Sequence, residues 1–207
     1  MDTVSTATLT NVPDSPDWGE VFLSSITITW GVGENPGGTV YVAEVSSTNF
    51  TTGTIYSSAT ICSASFATVS GLSANTTYYS RVSALNCQQA GISAKISDVR
   101  VTRPSVPRDL KWGDTTNYFM DVSWSSSTPV DNPPETVYKI ELSSTAFGGG
   151  QIYSSITTRG VNLLGGSGRV IGLTPNTTYW GRVEAINWGA VVIETATVEG
   201  TSVTFCS

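Results

Sequence analysis

The sequence predicts an all-β chain made of two tandem, seven-stranded β-sandwiches. Three observations predict it: the chain repeats itself once, its apolar residues alternate with polar ones along short runs, and those runs are separated by clusters of Gly, Pro, Asn and Ser. No stretch carries helical spacing.

The repeat is plainest where Gly71-Leu72-Ser73-Ala74-Asn75-Thr76-Thr77-Tyr78 returns as Gly172-Leu173-Thr174-Pro175-Asn176-Thr177-Thr178-Tyr179, and it continues through Asn86 and Asn187. Taken in chain order, Val12-Pro13, Trp18-Gly19 and Trp30 match Val106-Pro107, Trp112-Gly113 and Trp124. Thr39-Val40-Tyr41 through Ile55-Tyr56-Ser57-Ser58 then match Thr136-Val137-Tyr138 through Ile152-Tyr153-Ser154-Ser155. The register between copies drifts by only a few residues, which places the insertions in loops. A repeat of roughly 100 residues is the size of a whole sandwich, not of a solenoid unit. The expected modules are residues 1–103 and 104–207.

Each predicted strand follows from its own pattern. Ile26, Ile28 and Trp30 alternate against Thr27 and Thr29, and Met120, Val122 and Trp124 do the same, so one face of each strand is apolar. Gly33-Glu34-Asn35-Pro36-Gly37-Gly38 and Gly148-Gly149-Gly150 punctuate the runs. Period two along the third strand turns Tyr41, Ala43 and Val45 inward and Glu44 outward. In the second copy Tyr138, Ile140 and Leu142 turn inward and Glu141 outward. The same parity turns Arg81 and Arg182 outward on the sixth strand, along with Tyr79 and Trp180.

These residues resemble the fibronectin type III family of immunoglobulin-like sandwiches. Its pattern runs from a Trp ending the second strand, through a Tyr on the third, to Leu-x-Pro-x-Thr-x-Tyr-x-x-x-Val-x-Ala-x-Asn across the sixth. The matching positions are Trp30, Tyr41, Leu72, Ala74, Thr76, Tyr78, Val82, Ala84 and Asn86. In the second copy they are Trp124, Tyr138, Leu173, Pro175, Thr177, Tyr179, Val183, Ala185 and Asn187. Together the copies cover nearly the whole chain. Ala74 departs from the usual Pro, and Ser80 and Gly181 stand where the family places a larger apolar residue, which implies local repacking under a neighbouring Trp. The wording Leu-Thr-Pro-Asn-Thr-Thr-Tyr is similar to that of bacterial cell-surface repeat arrays.

The resemblance implies roles. Tyr78 and Tyr179 would be tyrosine-corner residues, with the ring buried and the hydroxyl bonded to the chain upstream. Trp30 and Trp124 would be core residues, and core is the plainer reading than sugar stacking. The third and sixth strands adjoin in this family, so Glu44 with Arg81 and Glu141 with Arg182 would face each other as cross-strand pairs in a solvated ladder. Cys62 and Cys87 would lie at one pole. Since the second copy lacks both, with Trp188 in the position of Cys87, the expectation is a Cys62–Cys87 disulfide and an oxidising compartment. Cys206 is left over.

Chemistry has little to stand on. The chain has no His, which removes the usual general base and most metal sites. Acids cluster at Asp14, Asp17 and Glu20; calcium is a better use for them than catalysis, and solvated loop charge is plainer than either. No cofactor and no enzymatic activity are expected. The net charge of −6 argues against nucleic acid, and no apolar run or positively charged leader suggests membrane insertion within this segment. Asn in the sequons at Asn75 and Asn176 is explained by the left-handed turn it tolerates.

Residues 3–9 occupy the register of a strand that closes a preceding module. They are expected to be that leftover strand or an extra one able to pair with a neighbouring chain. Arg103-Pro104-Ser105-Val106-Pro107 is a short, stiffened linker, which fits a spacer. Three functions follow. The first is a non-catalytic, extracellular or cell-surface structural and adhesive repeat, bacterial by its wording, serving as spacer or building block of an adhesin, sheath or filament. The second is a module that binds glycans or protein through the pole loops Gly31–Gly38, Ser125–Pro134 and Val161–Arg169, with Tyr79 and Trp180 as contacts. The third is an accessory module of a secreted polysaccharide-degrading enzyme.

Overall fold

The computed structural model describes residues 7–61, 64–125, 132–158, 165–187, 195–199 and 203–204. Two compact units divide the chain: residues 1–72 with 76–102, and residues 73–75 with 103–207. Among the described residues every element is a strand.

In the first unit β1 (Asp14–Val21), β2 (Ser25–Gly31) and β5 (Phe66–Ser70) form one sheet, in the order β1-β2-β5. The facing sheet runs β4-β3-β6-β7, from β4 (Ile55–Ile61), β3 (Val40–Ser46), β6 (Thr77–Leu85) and β7 (Gly91–Lys95), with β8 (Arg100–Val101) also paired to β6. All these pairings are antiparallel. The seventh strand is thus delivered in two pieces. Between them Ile96 packs partly into the core and its N–H still donates to Ser80 O of β6 at 3.2 Å, while Asp98 accepts the Trp18 indole N–H at 3.0 Å.

The second unit repeats the plan. Its smaller sheet is β13 (Gly165–Ile171), β10 (Phe119–Ser125) and β9 (Arg108–Thr115), with β10 in the middle. The larger sheet runs β12 (Ile152–Thr158), β11 (Val137–Ser143), β14 (Thr178–Ile186), β15 (Thr195–Glu199), and β16 (Val203–Thr204) pairs β14.

Alternation accounts for both cores. Strands β2 and β10 read half-exposed and buried in strict turn, and β3 and β11 do so over their first residues, before both faces are covered. The buried set includes Ile26, Ile28, Tyr41, Ala43 and Val45 in one unit and Met120, Val122, Tyr138, Ile140 and Leu142 in the other. Each fully buried side chain of this size contributes about 1.5–3 kcal/mol relative to exposure. The strand-to-strand turns are stitched in the same way in each copy: Leu72 N–H donates to Ser24 O, and Leu173 N–H to Tyr118 O, both at 3.0 Å. Residues 7–9 form no strand; residues 1–6, the rest of the expected extra strand, lie outside the described residues. The short segment is instead tied by its own groups, Thr10 Oγ1 donating to Ala84 O at 2.8 Å and Asn86 Nδ2 to Thr8 O at 3.0 Å.

Candidate functional site

Trp30 and Trp124 end the central strands of the smaller sheets and are buried, at 4% and 5% exposure. Each ring leans on the tyrosine of the third strand, Trp30 on Tyr41 at 5.8 Å and Trp124 on Tyr138 at 5.1 Å between centroids. Among the described residues no acceptor reaches their indole N–H groups, and the rings are held by packing. Tyr78 and Tyr179 are buried and meet Tyr56 and Tyr153 edge-on, at 6.2 and 5.8 Å. The Tyr179 hydroxyl accepts from Thr174 N–H, five residues upstream, at 2.9 Å. Asn75 and Asn176 take left-handed φ values of 44° and 51° in the turns just before these tyrosines.

The outer face of the larger sheet carries the same assembly in both units. Register places Glu44 opposite Arg81 and Glu141 opposite Arg182. Arg81 Nε donates to Glu44 Oε2 at 2.7 Å, and Arg182 Nε to Glu141 Oε2 at 2.7 Å. A phenylalanine lies on each guanidinium: Phe50 is 4.3 Å from Arg81 and Phe147 4.3 Å from Arg182, measured to the ring centroid.

The turn that delivers the ring is also duplicated. Ser46 Oγ accepts from Thr48 N–H and Phe50 N–H, and Ser143 Oγ accepts from Thr145 N–H and Phe147 N–H. Asn49 and Phe50, like Ala146 and Phe147, hold left-handed φ values between 50° and 61°. For a bulky residue that conformation is strained, and the serine bonds and the cation–π contact offset the strain. Sequence reasoning missed both phenylalanines, although Ser-Ser-Thr-x-Phe recurs at 46–50 and 143–147.

The second copy departs from a solvated ladder. Lys139, two residues back on β11, adds an ion pair to Glu141, and Glu141 is 4% exposed. Burial pushes the Glu141 carboxyl up. The hydrogen bonds from Lys139 and Arg182 outweigh it and hold the group below the usual glutamate value. Arg182 also approaches Glu184 at 3.7 Å.

The small residue at Gly181 is covered by Trp112 of β9. A Cβ added there would meet the indole Cη2 at 2.6 Å and Leu142 Cδ2 at 3.1 Å. The expected neighbouring Trp is therefore Trp112. Trp180 and Tyr79 are half-buried, opposite Ser143 and Ser46 in register.

The outer faces of the smaller sheets differ between copies. In the first unit Ser25 faces Ser70 and Thr27 faces Thr68, the two threonine hydroxyls 3.0 Å apart. In the second unit Phe119 faces Ile171 and Asp121 faces Arg169. Arg169 forks onto the Asp121 carboxylate at 2.6 and 2.8 Å and lies 3.8 Å from the Phe119 ring centroid. The Arg169 hydrogen bond holds the Asp121 carboxyl below the usual aspartate range.

A cleft of about 560 Å³ opens at one pole of the first unit, between residues 7–11, the turn 34–40 and residues 85–89. Its asparagines are committed to the fold. Asn35 Oδ1 accepts from Asn11 N–H at 2.7 Å while its Nδ2 donates to Asn11 O and Val32 O. Asn86 Oδ1 accepts from Gln88 and Ala90 N–H. Leu9, Glu34, Pro36 and Cys87 are exposed around it. Of the other pole loops, residues 126–131 and 161–164 lie outside the described residues.

Cys87 is exposed and forms no disulfide among the described residues, and Cys62 and Cys206 lie outside them. Asp14, Asp17 and Glu20 do not converge: Asp17 Oδ1 accepts from Trp18 N–H at 2.7 Å, and among the described residues no three metal-capable side chains gather. No helix among those residues is long and apolar enough to cross a membrane.

No family model matches the sequence, and no curated protein matches it. Solved structures do. A two-domain fibronectin type III segment of chicken tenascin superposes with a TM-score of 0.63 at 15% identity, covering 93% of this chain and 98% of that one. The FN1–FN3 segment of chicken CNTN1 matches with a TM-score of 0.44 at 18% identity, over 93% of this chain and 67% of that one. The chain is all-β and carries the fibronectin type III fold in tandem.

Proposed function

We propose that the chain is a non-catalytic structural and adhesive repeat of an extracellular or cell-surface assembly, serving as spacer or building block of an adhesin, sheath or filament. One observation carries this reading. The most elaborate polar fixture of each unit, the Glu–Arg–Phe assembly, is duplicated at matching positions and satisfied internally, as scaffolding is, whereas a reactive site would leave groups aimed at a substrate. The fold likeness to a tandem tenascin segment supports a module that works as one of a series. The bacterial wording of the Leu-Thr-Pro-Asn-Thr-Thr-Tyr segment supports a bacterial surface, and the Cys62–Cys87 pairing belongs to the same proposal. Immunogold electron microscopy with an antibody to this chain tests it: label on a surface layer or filament is expected, and label confined to the cell interior contradicts it.

The cleft in the first unit favours a second reading, a module that binds a glycan or a protein, either alone or as an accessory to a polysaccharide-degrading enzyme. Titration with soluble cell-wall oligosaccharides, following Glu34 and Leu9 by NMR, decides it: shifts confined to the cleft support this reading, and their absence removes it for glycans.

A further inference from the structure

The open edges of the sheets are guarded unequally. Strand β1 carries Asp14, Asp17 and Glu20, a proline at Pro16, a left-handed Ser15 at φ 40° and two register shifts against β2. Strand β9 carries Arg108, Asp109, Lys111 and Asp114, a left-handed Asp109 at φ 49° and two register shifts against β10. Strand β7 ends on Lys95 at the break in the seventh strand. These are the devices that stop one sheet from adding to another.

Strands β4 and β12 have none of them. Ile55–Ile61 and Ile152–Thr158 contain no charge, proline or glycine, and their registers against β3 and β11 are unbroken over seven residues each. Among the described residues no backbone hydrogen bond reaches β12 from outside its own sheet. Its outer row carries two apolar side chains, Ile152 44% and Ile156 68% exposed on either side of Ser154, and ends on Thr158. The adjoining row of β11 adds no net charge, since Lys139 and Glu141 are paired.

We propose that β12 pairs antiparallel with β12 of a second copy of this chain, about a two-fold axis at Ser154. The sequence is complementary to itself in this register. Ile152 of each copy falls opposite Ile156 of the other, Ser154 opposite Ser154, and Tyr153 opposite Ser155, so both exposed isoleucines of both copies are covered. An uncharged strand also escapes the repulsion that the chain's net charge of −6 imposes elsewhere. The equivalent row of β4 is Ile55, Ser57 and Ala59, so the first unit has the same open edge with less apolar surface to bury. The pairing is independent of any ligand in the cleft.

Sedimentation equilibrium of the full chain under reducing conditions tests this, comparing wild type with Ile156→Lys, Ile152→Lys and Ala59→Lys, each checked for unchanged circular dichroism. Reversible dimerisation is expected, weakened about tenfold or more by either isoleucine substitution through unmatched charge at the joint, and unchanged within about twofold by Ala59→Lys. A wild-type chain that stays monomeric at millimolar concentration overturns the proposal. So does a dimer indifferent to both isoleucine substitutions, or one that Ala59→Lys abolishes equally.

Discussion

Arg182 Nη2 lies 2.6 Å from Glu141 Oε2 on the outer face of the second unit, and the glutamate it holds is almost wholly covered. Glu44 is less covered, its side chain 19% exposed against 5% for Glu141. Arg182→Ala strands a covered carboxylate beside a single lysine. It should cost about 2–3 kcal/mol, against about 1 kcal/mol for Arg81→Ala. Urea unfolding of the two variants checks the order; equal losses would contradict it.

The same pair sets a pH dependence. The folded-state pKa of Glu141 lies below its ordinary value of 4.5, so its stabilisation is fully present above that value and is lost as pH falls through the lower, folded one. Asp121, held down by Arg169, adds a loss of the same sign below its ordinary 3.8. Stability measured between pH 6 and 2 should fall less steeply in Glu141→Gln than in wild type, with the two curves converging at the acid end.

Gly181 and Trp112 form a fitted pair. Gly181→Leu drives a side chain into the indole and should destabilise by about 1–3 kcal/mol. Trp112→Ala removes the cover and should cost about 3 kcal/mol. The double variant Trp112→Ala/Gly181→Leu should recover part of both losses, since the leucine fills the vacated space. Simple additivity in thermal unfolding would contradict the contact.

Among the described residues no acceptor reaches the buried indole N–H groups of Trp30 and Trp124. Trp124→Phe therefore loses no hydrogen bond and should cost about 1 kcal/mol, while Trp124→Ala should cost about 3–5 kcal/mol. A phenylalanine variant as damaged as the alanine one would show that the N–H does have an essential partner.

Thiol counting checks the cysteine proposal. Of the three cysteines, the chain unfolded without reductant should titrate only Cys206, and a closed Cys62–Cys87 loop of about 25 residues should contribute about 3 kcal/mol. Three reactive thiols would remove the pairing and with it the argument for an oxidising compartment.

What could be read in the sequence was whatever repeats locally. Period two gives the inward faces of Tyr41, Ala43, Val45 and their counterparts, and the facing of Glu44 with Arg81 follows from the resemblance to fibronectin type III modules, in which the third strand lies beside the sixth. What could not be read depends on loops laid over sheets. Glu141 is held by both Lys139 and Arg182, and Phe147 reaches Arg182 only through two left-handed residues that no alternation encodes. Trp112 reaches Gly181 across the sandwich, a contact between strands far apart in sequence. The cleft lies where residues 7–11, outside strand geometry, are bound by Asn35, which reads as a turn residue, and by Asn86, which reads as the end of the sixth-strand pattern.

Amide hydrogen exchange of the full chain, read by mass spectrometry, tests the central claim of two closed tandem sandwiches most directly. The interior strands β2, β3 and β6 in one unit and β10, β11 and β14 in the other should hold the slowest amides, with β4 and β12 faster on their open sides. Rapid exchange throughout either set, or protection concentrated outside these strands, would contradict it.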